Sequence, residues 1–141
     1  MKINWGLIGL GNISKIFAEA FQNTKNSNLL AIASKNEQKL HSFKNEYLIS
    51  RDFCFDDYEK LIKCDKVDVV YISLPNSFHK EWIDKCFFYK KKILVEKPAF
   101  NNFNDAKEIK ISEGRVNLKN NPCQICSDLP FPIMGKDLDY M

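Results

Sequence analysis

The sequence predicts an α/β fold: a doubly wound parallel sheet with helices on both faces. Three observations predict it. Short apolar runs rich in β-branched residues alternate with segments of helical spacing from Ile3 to about Ile111. The clearest of these runs are continuously apolar, as strands buried on both faces are. The first run leads into a glycine-rich turn, and that turn opens directly into a helical pattern. Such alternation gives a parallel sheet with right-handed crossovers.

The elements follow in order. Ile3 to Ile8 reads as a buried strand. Gly9-Leu10-Gly11-Asn12-Ile13-Ser14 follows, a Gly-x-Gly-x-x-Ser turn. Gly9 lets the chain turn sharply, and Gly11 leaves no side chain between the backbone and a pyrophosphate. Ser14, in the third small position, lets the helix approach the strand. The amides of Asn12, Ile13 and Ser14 would then face phosphates from a helix N-terminus. The helix should present Ile13, Ile16, Phe17, Ala20 and Phe21 as its apolar face. A polar loop spans Asn23 to Asn28, and Leu29 to Ala33 is the second strand. It ends at Ser34-Lys35, before a helix with Leu40, Phe43 and Tyr47 inside. Phe53 to Phe55 reads as a short strand. Asp56 or Asp57 caps a short helix carrying Tyr58, Leu61 and Ile62. Val67 to Ser73 is the next strand. After Leu74-Pro75, Asn76 or Ser77 caps a helix that buries Phe78, Trp82, Ile83, Cys86 and Phe87. Ile93 to Val95 is the last clear strand, stopped by Glu96-Lys97-Pro98. Asn104 or Asp105 caps a final helix. Arg115 to Met141 has no period of 2 or 3.6 and reads as an irregular tail.

Composition narrows the function. At 141 residues with 45% hydrophobic and 28% charged residues, the chain has the make-up of one globular domain. A net charge of +3 is too mild to imply a nucleic-acid partner. The run Lys90-Lys91-Lys92 reads as a solvated helix end, where cations suit the dipole. No apolar stretch is long enough for a membrane span and no signal peptide opens the chain, so a cytoplasmic location is expected. The five cysteines are scattered. Cys86 belongs to a helix core, and the Cys123-x-x-Cys126 pair lacks a second ligand pair. No metal site is expected.

In an open parallel sheet, ligands bind beyond the carboxyl ends of the strands. Four strand ends should therefore gather on one edge: Gly9–Ser14, Ser34–Lys35, Leu74–His79 and Glu96–Pro98. The second end decides between dinucleotides. A carboxylate there would hold an adenosine ribose; this chain has Ser34, Lys35 and, one turn on, Lys39, which suit a 2′-phosphate. NADP is favoured over NAD, although Glu37 could reach a ribose and the lysines could be solvated surface groups. Leu74, Pro75 and Asn76 offer an apolar wall and an amide on the nicotinamide side. His79 could donate to cofactor or substrate, or serve as a surface or capping residue. Lys97 could hydrogen-bond a substrate hydroxyl and move a proton while Glu96 positions it; the alternative is a salt bridge closing the strand.

The segments INWGLIGLGNIS, AIASKN, VVYISLPNSFHKEW and ILVEKPAF, in that order, resemble the N-terminal half of the Gfo/Idh/MocA oxidoreductases over roughly residues 1–112. The resemblance implies a Rossmann-like domain holding NAD(P) and hydride transfer with a sugar, polyol or related carbonyl. It implies that Lys97 positions substrate and relays the proton. It also implies a second domain, a large antiparallel sheet that closes the substrate site and carries the oligomer interface. The tail, 113–141, does not resemble that continuation and is expected to be a truncated or frame-shifted remnant. The chain is thus expected to represent the nucleotide-binding domain alone. The other reading is a non-catalytic dinucleotide-binding module or an inactive product.

Overall fold

The computed structural model describes residues 2–113, with side chains through Glu108. The strands are β1 (Ile3–Ile8), β2 (Ser27–Ala33), β3 (Cys54–Phe55), β4 (Val69–Ile72) and β5 (Lys92–Val95). The helices are α1 (Asn12–Ala20), α2 (Glu37–Glu46), α3 (Tyr58–Lys63), α4 (His79–Phe88) and α5 (Phe103–Glu113). The strands form one parallel sheet in the order β3-β2-β1-β4-β5, the doubly wound arrangement that the alternation predicts. The expected irregular tail beyond Glu113, with Cys123 and Cys126, lies outside the described residues.

Two cores flank the sheet because successive strand residues point to opposite faces. On one face Ile8, Ala31, Ala33, Val70 and Ile72 meet Leu61 and Ile62 of α3 and Trp82, Ile83 and Cys86 of α4. On the other, Trp5, Leu7, Leu29, Ile32, Val69 and Tyr71 meet Ala18 of α1 and Phe43 of α2. Burial pushes the Cys86 thiol up to about 12, so it is an inert core group. Between α3 and α4, Glu59 gathers Lys63, Lys85 and the Tyr89 hydroxyl, which draw its carboxyl down to about 2.

Four local expectations are corrected. Helix α1 does not bury Ile13 or Ile16, which are 42% and 60% exposed. Its inward residues are Ser14 and Ala18, with Phe17 and Phe21 half-buried beside them. Ser14 sets this phase through polar contacts that hydrophobic spacing does not record. Phe78 is 49% exposed rather than internal, because Asn76–Phe78 form a separate 3-10 turn before α4, and no side chain caps it. Helix α5 starts earlier than expected: Asn102 caps it by accepting from the Asp105 amide at 2.9 Å. Lys91 is half-buried rather than a free solvated cation, since its ammonium donates to the carbonyls of Cys64 and Val67 at 2.8 and 2.7 Å. It thereby ties the α4–β5 turn to the loop entering β4.

Lys90 adopts the left-handed cap, with φ 56°. A side chain in that region costs about 1 kcal/mol that glycine avoids. Lys90→Gly should therefore raise the urea midpoint by an amount equivalent to roughly 1 kcal/mol, without changing the m-value. An unchanged or lowered midpoint would contradict this account of the cap.

Candidate functional site

The β1–α1 turn is fixed by backbone chemistry before any ligand is considered. Gly9 sits at φ +87°, and a Cβ there would lie 2.8 Å from Leu74 Cδ2 and 3.0 Å from the Ser73 carbonyl oxygen. Two hydroxyls converge on the Gly9 carbonyl. Ser14 Oγ donates to it at 2.6 Å and accepts from the Gly11 amide at 3.2 Å. Ser73 Oγ lies 2.6 Å from the same carbonyl and 2.7 Å from Ser14 Oγ. Serine in the third small position is therefore more than a tolerated substitute for glycine. Its hydroxyl ties the start of α1 to the end of β4.

Gly11 is different. A Cβ built on it would meet nothing within 4 Å, so the space beside it is open. It precedes α1, whose first amides, those of Asn12 and Ile13, have no helical carbonyl to pair with and no side-chain cap. Bare amides at a helix start, next to a residue without a side chain, form a cradle for an anion. The backbone present therefore fits a pyrophosphate.

The turn opens into a cleft of about 620 Å³, of the size that small-molecule sites have. Gly9, Leu10 and Gly11 form its floor, and Ser73, Leu74 and Pro75 one wall. Ser34, Lys35, Asn36, Lys39 and Tyr58 form the other. The β2 end is ordered locally: Ser34 Oγ accepts from the Asn36 amide at 3.1 Å, and Asn36 Oδ1 accepts from the Lys39 amide at 3.0 Å, capping α2. This leaves the Ser34 hydroxyl hydrogen free to donate. Tyr58 is a wall residue that the sequence reading assigned only to a helix's inner face. Its ring stands edge-on to Trp82 at 5.1 Å, with the Lys35 ammonium 5.7 Å from its centroid. Burial raises its phenol above the usual value, and a hydrogen bond with the Lys35 backbone offsets part of that rise. The signal available in the sequence was its position as the first residue of a short helix directly after β3.

The remaining candidates lie outside this lining. Asn76 is exposed in the 3-10 turn. Glu96 and Lys97 do not form the bridge that would close the strand. The Tyr71 hydroxyl donates to Glu96 Oε1, while Lys97 is exposed and has no ion-pair partner among the described residues. Burial, and then the Glu96 contact, hold the Tyr71 phenol well above its ordinary range. The Lys97–Pro98 peptide is cis. His79 is neither a surface residue nor a cleft residue: it is fully buried, with its ring nitrogens on the carbonyls of Leu74 and Pro98. No group of three His, Cys, Asp or Glu residues that could hold a metal occurs among the described residues. No described helix is long and apolar enough to cross a membrane.

A strand–glycine turn–helix unit, a doubly wound sheet and a cleft at the strand ends define a dinucleotide-binding Rossmann domain. Residues 3–117 match the Gfo/Idh/MocA family, described as an oxidoreductase family with an NAD-binding Rossmann fold, and the chain belongs to that family. It is 31% identical over 138 residues to Oxidoreductase P35 of Formosa agariphila, covering 97% of this chain and 42% of that protein. It is 28% identical over 117 residues to human trans-1,2-dihydrobenzene-1,2-diol dehydrogenase, covering 82% of this chain and 34% of that enzyme. The fold also matches the crystal structure of KijD10, a 3-ketoreductase from Actinomadura kijaniata in complex with TDP-benzene and NADP. That match has a TM-score of 0.72 and 28% identity, over 79% of this chain and 34% of that one. The chain thus spans less than half the length of these relatives.

The two glycines make separable predictions. Gly9→Ala should destabilise the domain by more than about 1 kcal/mol, since both φ and the Leu74 contact oppose it. Gly11→Ala should leave the melting midpoint nearly unchanged and weaken dinucleotide binding at least tenfold. Thermal melts together with nucleotide titrations of both variants check this. Equal loss of stability in the two would contradict it.

Proposed function

We propose that this chain is the nucleotide-binding part of an NADP-dependent oxidoreductase whose cleft holds NADP(H) along the carboxyl edge of the sheet. One observation carries the choice of cofactor. Ser34, Lys35, Asn36 and Lys39 line the β2 end of the cleft, and no carboxylate lies among its lining residues. NAD sites characteristically place an acidic side chain there to accept from the ribose hydroxyls, whereas a 2′-phosphate requires cations and donors. Glu37 is exposed and outside the lining.

In this reading the pyrophosphate rests on Gly11 and on the amides of Asn12 and Ile13, with Gly9 making the turn. Leu74 and Pro75 form the apolar wall, and Asn76 lies beside the nicotinamide end. When bound, the cofactor supplies or accepts the hydride. Lys97, an exposed ammonium with no ion-pair partner among the described residues, hydrogen-bonds the substrate oxygen and relays the proton that a hydroxyl loses on oxidation or a carbonyl gains on reduction. Glu96, held by Tyr71, fixes the strand end from which Lys97 projects. The substrate class is a sugar, polyol or related carbonyl, in keeping with the ketone and diol chemistry named for the relatives. Catalysis requires a second wall to hold the reacting carbon against the nicotinamide. Turnover therefore belongs to a longer assembly in the cytoplasm, and cofactor binding belongs to this domain.

The test is a fluorescence titration of the chain with NADPH and NADH in parallel. NADPH should bind at least about tenfold more tightly, a difference of about 1.4 kcal/mol. The double variant Lys35→Ala, Lys39→Ala should bring the two affinities together. Equal binding by the unaltered chain, or tighter NADH binding, would overturn the assignment.

A further inference from the structure

Tyr58 is the only aromatic side chain in the described lining of the cleft, and the proposed function gives it no task. The fold delivers it there through β3. The Ser34 amide donates to the Phe55 carbonyl at 3.1 Å, which fastens the end of β2 to the end of β3. Asp57 then caps α3 by accepting from the Glu59 amide at 2.8 Å, and Tyr58 is the first residue of that helix. The ring is itself held. It stands edge-on to Trp82 at 5.1 Å, and Trp82 is buried. The Lys85 ammonium lies 4.2 Å from the Trp82 ring and is fixed in turn by Glu59 and Glu81 at 3.3 and 3.4 Å.

The two lysines of the cleft differ in what restrains them. The Lys35 ammonium lies 5.7 Å from the Tyr58 centroid, within the range of a cation–π contact. Among the described residues no ring stands against the Lys39 ammonium, and neither lysine has a salt bridge. The kind of restraint matters chemically. A long lysine side chain loses rotamer freedom when an anion fixes it, and that loss opposes binding. A carboxylate partner would hold the ammonium in advance, but it would also cancel the charge and compete with a phosphate. An aromatic face holds the ammonium and leaves its charge uncancelled.

We propose that Tyr58 is a positioning residue for cofactor choice: its ring holds the Lys35 ammonium at the β2 end of the cleft, where it meets the 2′-phosphate already restrained. Tyr58 acts through Lys35 and not through Lys39. The inference rests on the NADP reading above and adds to it the residue that sets the geometry of the phosphate's cation.

The test reads the ratio of NADPH to NADH affinity in fluorescence titrations. A change in the fold, or in contacts to the shared adenosine, affects both dinucleotides alike and cancels in that ratio. Tyr58→Leu should lower it about two- to fivefold, the worth of an exposed cation–π contact. Tyr58→Phe, which keeps the ring and removes only the hydroxyl, should restore it. In a Lys35→Ala background Tyr58→Leu should have no further effect, whereas in a Lys39→Ala background it should lower the ratio as before. An unchanged ratio in a folded Tyr58→Leu overturns the proposal. So does an equal drop in the Lys35→Ala background, or a Phe variant as impaired as the Leu variant. If Tyr58→Leu does not fold, proton spectra of the unaltered chain decide. The ring current of Tyr58 should move the Lys35 side-chain methylene signals upfield of those of Lys39, and coincident signals overturn the proposal. Equal binding of the two dinucleotides by the unaltered chain fails the cofactor reading and this inference with it. A preference that is present in the unaltered chain and survives Tyr58→Leu removes this inference alone.

Discussion

The structure depends on one carbonyl group, that of Gly9, and on what gathers around it. Two serine hydroxyls, from α1 and from the end of β4, reach this oxygen at 2.6 Å each. The contact has three consequences. It holds the chain in a left-handed turn that only glycine adopts without strain at that crowded position. It draws the start of α1 against the sheet, which sets the helix phase and turns Ile13 and Ile16 outward. It also leaves the Gly11 side of the turn open, with the first helical amides bare. Leu74 closes over Gly9 from above, and His79 holds Leu74 by its carbonyl. The glycine turn is thus the inner end of a chain of contacts that runs outward to Pro98.

Much of this was legible in the sequence, because strands buried on both faces announce themselves. Leu29 to Ala33 and Val69 to Ile72 are continuous apolar runs, and a glycine turn between strand and helix has one common use. The left-handed Lys90 was legible only through the family resemblance, which places a glycine at that helix end. Two misses are local, the 3-10 turn that exposes Phe78 and the Asn102 cap of α5; the others depend on polar contacts between residues far apart in the chain. The phase of α1 follows from Ser14 meeting Ser73, which no helical periodicity records. The inward position of Lys91 depends on two carbonyls in the α3–β4 loop. The separation of Glu96 from Lys97 depends on Tyr71, 25 residues earlier. His79 could be read as a helix-start histidine, but its burial required a carbonyl 19 residues later. Tyr58 was recognised as an inward residue; that its ring also walls the cleft depends on how α3 follows the short β3.

The proposed division of labour within the cleft follows from the chemistry of its two sides. One side is backbone and small residues, where specificity comes from the absence of side chains and affinity from oriented amides. The other is cationic, with Lys35 and Lys39 exposed and free of ion pairs among the described residues. Attraction at exposed lysines is screened by salt. In this reading the amides supply the part of the binding that salt weakens least, while the lysines discriminate between the two dinucleotides. The chain belongs to the Gfo/Idh/MocA family and spans less than half the length of the relatives it matches.

The central claim is that the open side of the Gly9–Ser14 turn and the lysine-lined end of the second strand form one binding surface. The most direct measurement is an amide nitrogen–proton correlation spectrum of the labelled chain, recorded while NADPH is added. The account predicts that the signals of Gly11, Asn12 and Ile13 shift together with those of Ser34 to Lys39 on a single binding curve, while those of the exposed α2–β3 connection around Leu48 stay in place. Saturable shifts confined to some other surface, or no shifts in a folded chain, would contradict it.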